Sequence, residues 1–142
     1  MGAGRAFLDT NVLVYAVDEG EPEKQTVARD LLGSAGDNEF VLSTQVLSEF
    51  YVVVTRKLDA PLPEEVAAQA IELLGKLSVV AADVELVRAA IRIGRRSQLS
   101  YWDALVVAAA EAAGCERLLS EDLGDGQAIG GVRVENPFRG LA

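Results

Sequence analysis

The sequence predicts an α/β fold with a central, mostly parallel sheet of four to five short strands and helices on both faces. Three observations carry this. Short apolar runs alternate with helical periods from one end of the chain to the other. Hydrophobic residues make up 50% of the 142 and charged residues 25%, a balance that supports a packed core and argues against disorder. No repeat, low-complexity tract or linker divides the chain, so residues 1–142 read as a single domain.

The elements follow in order. Ala3–Asp9 reads as a short buried strand and Asn11–Val17 as a first helical turn or two. Glu23–Leu32 is helical, with Pro22 near its start and Gly33 after its end. Glu39–Ser43 is a second strand. Thr44–Leu58 is a strong helix with Val46, Leu47, Phe50, Val53, Val54 and Leu58 on one face. Pro63–Leu77 is a further amphipathic helix, with Val66, Ala67, Ala70, Ile71, Leu73, Leu74 and Leu77 in one stripe. Val79–Ala81 suggests a short strand and Val84–Arg96 a helix. Tyr101–Ala113 is apolar nearly all round, hence a central buried helix, and Gly114 stops it. Arg117–Ser120 and Gly131–Val134 are the last strands, separated by a Gly-rich loop, Gly124–Gly131, with an Asp125-Gly126 turn.

The absence of histidine excludes more chemistry than any other feature. Ser-His-Asp triads, HExxH sites and the acid–base chemistry of metal-independent ribonucleases all require it. Cys115 is the one cysteine, so no internal disulfide or cysteine-rich zinc site is available. No apolar run reaches membrane-spanning length and the start is no signal peptide, so a cytoplasmic protein is expected. The net charge of −9 argues against indiscriminate nucleic-acid binding, although it leaves room for a local basic patch or a basic partner.

Four acids sit where apolar segments begin or end: Asp9 in FLDTN, Glu49 in VLSEF, Asp103 in SYWDALVVAAA and Asp122 in LLSED. In parallel sheets ligands bind beyond the carboxyl ends of the strands, and all four positions can share that edge. Each also has an ordinary structural role. Asp9 fits a helix N-cap, Ser100–Asp103 fits a capping box, Glu49 fits a solvated helix position and Asp122 fits a turn. Together they imply more. Two carboxylates about 5 Å apart repel by about 3 kcal/mol at an effective dielectric of about 20, which a protein relieves by protonation or by a cation. With oxygen ligands only, the cation is Mg²⁺ or Mn²⁺.

FLDTNVLVY, STQVLSEFYVVVTRK, LSYWDALVVAAA and LLSEDL, in this order, resemble the four motif regions of PIN-domain ribonucleases. The nearest likeness is to VapC-type toxins of type II toxin–antitoxin (VapBC) pairs. The resemblance covers nearly the whole chain, and the WDA helix start with the S-x-D pattern at Ser120–Asp122 makes it specific. It implies a PIN-like fold and a catalytic, metal-binding set of Asp9, Glu49, Asp103 and Asp122. Asn11 is then expected to orient Asp9 or contact metal-held water, and Ser120 to support the fourth acid. Glu121 and Asp125 are neighbouring alternatives for that fourth acid, and the S-x-D spacing favours Asp122. The implied reaction is hydrolysis of RNA phosphodiesters with one or two divalent ions, Mg²⁺ or Mn²⁺, leaving 5′-phosphate and 3′-hydroxyl ends. The implied partners are an RNA, such as tRNA or another structured RNA, an antitoxin that obstructs the acidic pocket, and a second copy of the chain as a homodimer.

Arg88, Arg92, Arg95 and Arg96 fall within about 100° of arc on one helix. They read either as a solvated face or as phosphate contacts, with Arg95 and Arg96 nearest Asp103 in the chain. Arg56 and Lys57 are weaker candidates. Tyr101 and Trp102 can stack on a base, but beside a buried helix packing is the expected role. Two alternatives stand beside the toxin: a catalytically inactive PIN-like binding module and a housekeeping nuclease without a toxin role. A phosphatase or receiver domain fits less well, because position 11 is Asn11 rather than Asp and no lysine follows Lys76.

Overall fold

The structure, a computed structural model, describes residues 4–36 and 38–141. The elements run β1 (Arg5–Leu8), α1 (Thr10–Tyr15), α2 (Pro22–Gly33), β2 (Glu39–Ser43), α3 (Thr44–Arg56), α4 (Glu64–Leu74), β3 (Ser78–Val80), α5 (Val84–Ser97), α6 (Tyr101–Ala112), β4 (Arg117–Leu119), β5 (Ala128–Ile129) and β6 (Val132–Glu135). Ala3, where the first strand was expected to begin, lies outside the described residues.

One sheet holds six strands in the order β3-β2-β1-β4-β6-β5. All neighbours pair in parallel except β5 and β6. The sheet is thus mostly parallel, as expected, with one strand more than four to five. The added strand is β5, two residues inside the Gly-rich stretch, which pairs Ala128 with Arg133 and Ile129 with Val132.

Connection handedness sets the layers. The crossovers from β1 to β2 and from β2 to β3 step one way along the sheet, and the crossover from β3 back to β4 steps the other way. Right-handed crossovers therefore put α1–α4 on one face and α5–α6 on the opposite one. Ala6, Phe7 and Leu8 in β1 and Phe40, Val41 and Leu42 in β2 are all buried, as central strands covered on both faces must be.

Helix α6 is the central helix, with Ala104 through Ala110 all buried. Its small side chains let α5 approach closely. A Cβ on Gly94 of α5 would stand 3.4 Å from Ala104 Cβ, so glycine suits that contact. The helix ends in a Schellman motif: Cys115 N donates to Ala110 O at 2.9 Å and Gly114 N to Glu111 O at 3.0 Å, with Gly114 at φ 72°.

The stripe expected on α4 is only partly realised. Ala67 is buried, but Val66 and Leu73 are exposed. The helix packs mainly on α3, so only part of its apolar arc is covered. Among the described residues, no helix is long and apolar enough to cross a membrane.

Candidate active site

Strand order reverses between β1 and β4, since the chain builds outward from β1 through β2 to β3 and returns to add β4 on the other side. At such a switch point the two crossovers leave in opposite directions and open a crevice at the carboxyl ends of the strands. Asp9 follows β1 directly and Ser120 follows β4 directly. The ladder extends to both: Asp9 N donates to Leu119 O and Ser120 N to Glu135 O, each at 3.0 Å. The crevice therefore begins with an acid and a hydroxyl side by side on rigid backbone.

Asp9 is 8% exposed. It caps α1, with Oδ1 accepting from Thr10 N at 2.8 Å, and its Oδ2 accepts from Ser120 Oγ at 2.7 Å. Burial pushes its carboxyl up to about 6. The Ser120 and Thr10 hydrogen bonds pull it back, and the charges of Asp122 and Glu49 push it further up. Ser120 is fully buried and ties the site together, its Oγ also accepting from Asp122 N at 3.1 Å and from Asn11 Nδ2 at 3.4 Å.

Asn11 makes no direct hydrogen bond to Asp9 among the described residues. Both Asp9 oxygens are already engaged by Thr10 and Ser120. Asn11 reaches across to the loop after β4 instead, where Nδ2 donates to Asp122 Oδ2 at 3.2 Å and Oδ1 accepts from Glu121 N at 3.2 Å. It fixes the position of Asp122.

Glu49 is exposed on α3 and accepts from Gln45 Nε2 at 2.9 Å. The same amide donates to the carbonyl of Trp102 at 3.4 Å, linking α3 to the start of α6. Asp103, half-buried in the first turn of α6, donates its backbone N–H to Ser100 Oγ at 3.1 Å. Its carboxylate has no hydrogen-bond partner among the described residues. The gathering of acids is therefore looser than a closed cage. Asp9 and Asp122 share one hydrogen-bonded network, Glu49 is coupled to Asp9 by charge, and Asp103 stands at the start of the adjoining helix. Among the described residues, no three acidic side chains converge closely enough to hold an ion by themselves.

The two neighbouring acids are occupied elsewhere. Glu121 accepts from Lys24 Nζ at 2.7 Å and from Tyr15 Oη at 2.6 Å. Burial raises its carboxyl, but these hydrogen bonds and the lysine charge outweigh that and hold it below the ordinary value. Lys24 also lies 4.8 Å from the Tyr15 ring centroid. Asp125 pairs with Arg139 at 2.9 Å and caps Asn136 N. The roles of Lys24 and Tyr15 leave no signal in the sequence, because their partner Glu121 is 97 and 106 residues away, Lys24 lies in no motif, and Tyr15, at the end of FLDTNVLVY, reads there only as an apolar helix position.

The donor set suits a hard cation: carboxylates, a hydroxyl and an amide, without nitrogen or sulfur ligands. The buried carboxyl of Asp9, whose ionisation burial opposes, is the group that a cation would relieve. With so few converging protein ligands, an ion held here would keep several waters in its shell.

Arg92, Arg95 and Arg96 are exposed and, among the described residues, pair with no carboxylate, whereas Arg88 pairs with Glu85 at 2.6 Å. Arg56 and Lys57 are exposed at the end of α3. The packing role expected for Tyr101 and Trp102 is not what the fold gives them. Trp102 is 63% exposed and Tyr101 37%, because burial along α6 begins only at Ala104. Cys115 is buried as expected, and burial raises its thiol to about 11, away from reactivity.

The family model described as "PIN domain" matches residues 6–124. The chain belongs to the PIN-domain family. That match spans all four acidic positions, and the PIN fold is shared with solved toxin structures. One is a toxin–antitoxin complex from Klebsiella pneumoniae, 18% identical, covering 93% of this chain and 97% of that one, with a TM-score of 0.69. Another is VapC20 of Mycobacterium tuberculosis, described as a sarcin-ricin loop cleaving toxin, 23% identical over 82% and 91% of the two chains, TM-score 0.66. A third is the DNA-bound VapBC of Salmonella typhimurium, 19% identical over 95% and 99%, TM-score 0.67. No curated protein sequence matches the chain.

Proposed function

We propose that this PIN domain, read as one domain over 1–142, is a divalent-metal-dependent endoribonuclease of the VapC type and the toxin of a toxin–antitoxin pair. The observation that carries the reading is Asp9, a buried carboxylate at the switch point of the sheet, bonded to Ser120 and charge-coupled to Asp122 and Glu49. The PIN match and the likeness to toxins solved with antitoxins support the class.

In this reading Asp9 and Asp122 are the central ligands, Glu49 and Asp103 close the site from α3 and α6, and Asp122 rather than Glu121 or Asp125 is the fourth acid. A bound Mg²⁺ or Mn²⁺ supplies positive charge to the scissile phosphate and makes hydroxide available near neutral pH. The chain's own residues do the rest. Ser120 donates to one Asp9 oxygen and leaves that carboxylate a fixed direction. Asn11 holds Asp122 at the mouth of the crevice. Arg95 and Arg96 offer phosphate contacts beside α6. The antitoxin partner is supported by the complexes that share the fold, and the apolar groove between α3 and α4, lined by Leu47, Tyr51, Val52 and Ile71, offers it or a second copy a face.

End-labelled tRNA and other structured RNA, incubated with partner-free protein, test the proposal. Wild type should give discrete cuts with Mg²⁺ or Mn²⁺, none with EDTA and none for Asp103→Asn. Cuts that survive EDTA or the substitution would overturn it. Metal binding without cleavage of any RNA would favour the binding module instead.

A further inference from the structure

Trp102 is the largest exposed apolar side chain next to the acidic edge. Tyr101 contacts it edge-on, with ring centroids 5.2 Å apart and planes at 74°. Gln45 bonds its carbonyl from α3 and bonds Glu49 with the same amide. The indole borders a cavity of about 550 Å³ between α3 and α6, whose other walls include Gln45, Ser48, Glu49, Ala82 and Leu105. That cavity is mostly apolar, yet Glu49, a proposed ligand, stands in its wall. On the far side of Tyr101 a second, smaller cavity of about 280 Å³ is lined by Leu99 and by Arg95, which has no carboxylate partner among the described residues.

We propose that the Trp102 cavity is a subsite for an unpaired nucleobase of the RNA, stacked on the indole one step from the scissile phosphate. The inference rests on the nuclease reading above and names where its substrate binds. The order of groups is the argument: carboxylates at Glu49 and Asp103, then the aromatic pair, then Arg95. A single-stranded nucleic acid offers the matching order of phosphate at the acidic edge, base on the ring and next phosphate at the arginine. Aromatic platforms beside cationic groups bind unpaired strands in this way, since every base has a face to stack. An inhibiting protein seated on Trp102 would cover the Glu49 carboxylate in the same wall and close the site. A nucleotide leaves it free for the cation.

Trp102 is the one tryptophan of the chain, so intrinsic emission reports this side chain alone. The test titrates partner-free protein with a short unstructured RNA carrying one 2-aminopurine, in EDTA so that the strand stays intact. Saturable quenching of both fluorophores is expected. Trp102→Phe should keep 2-aminopurine quenching with affinity within about threefold, and Trp102→Leu should weaken it on the order of tenfold. With Mg²⁺ and structured RNA, Trp102→Leu should raise KM by a similar factor and leave kcat within about twofold. Three results would overturn the subsite: no binding by the wild type, equal binding by the leucine variant, or emission that is already blue-shifted and moves red on dilution, which would place a second copy over the ring. If Trp102→Leu cleaves with unchanged KM, the subsite fails and the nuclease reading stands. If wild type binds the strand through Trp102 but cuts nothing, the nuclease reading fails instead.

Discussion

The buried carboxylate at the switch point predicts that the site weakens the metal-free fold. Asp9 ionises at about 6 in the folded chain against an ordinary 3.8. A carboxyl raised in this way binds more protons folded than unfolded between those values. Stability therefore falls as pH rises through that window, and the loss is complete above about 6. At neutral pH the difference is worth about 3 kcal/mol, and about half of it returns by pH 5. Asp9→Asn removes the ionisation while Oδ1 can still accept from Thr10 N. Its amide meets Ser120 Oγ, which already accepts from Asp122 and Asn11, so part of the gain is lost to that crowding. The net expectation is a variant more stable by about 1–3 kcal/mol at pH 7 without metal, with the advantage fading toward pH 4. Urea denaturation in EDTA at pH 4.5, 5.5 and 7 measures it. Mg²⁺ should then stabilise the wild type and not the variant. A variant less stable than wild type at pH 7 in EDTA would mean that burial does not strain the Asp9 carboxylate.

Other predictions follow from the same geometry. Asp122→Asn should reduce RNA cleavage by at least tenfold while Glu121→Gln leaves it within about twofold, measured as single-turnover rates, since Glu121 is held by Lys24 and Tyr15. Lys24→Ala should destabilise the fold by about 2 kcal/mol in denaturant, the worth of a partly buried hydrogen bond between charged groups. Its effect should shrink as pH falls and Glu121, whose carboxyl sits below its ordinary value, is protonated. Gln98 caps α5 at φ 56°, a left-handed conformation that favours glycine, so Gln98→Gly should raise the denaturation midpoint by an amount worth about 1 kcal/mol.

The sequence made the long elements legible because their periods and punctuation agree. Glu39–Ser43 was expected as a strand with these bounds, and Gly114 marks the end of α6 through the left-handed cap that only a Cβ-free residue adopts easily. β5 was hidden because two residues in a Gly-rich turn have no periodicity to show. The exposed ring of Trp102 was misjudged because the apolar character of α6 begins before its burial does, and the helix period alone cannot say where a helix emerges from the core. The acids were visible as breaks in apolar sequence. Their division of labour was not, since Asn11 serving Asp122 and Lys24 engaging Glu121 are contacts across about a hundred residues.

A cation site built on Asp9 is tested by counting bound ions. Mn²⁺ is titrated into partner-free wild type, Asp9→Asn and Glu121→Gln at pH 7.5, with free Mn²⁺ measured by electron paramagnetic resonance. Saturable binding is expected for wild type and Glu121→Gln, and binding at least tenfold weaker for Asp9→Asn. Binding of equal strength in all three proteins, or none in the wild type, would contradict it.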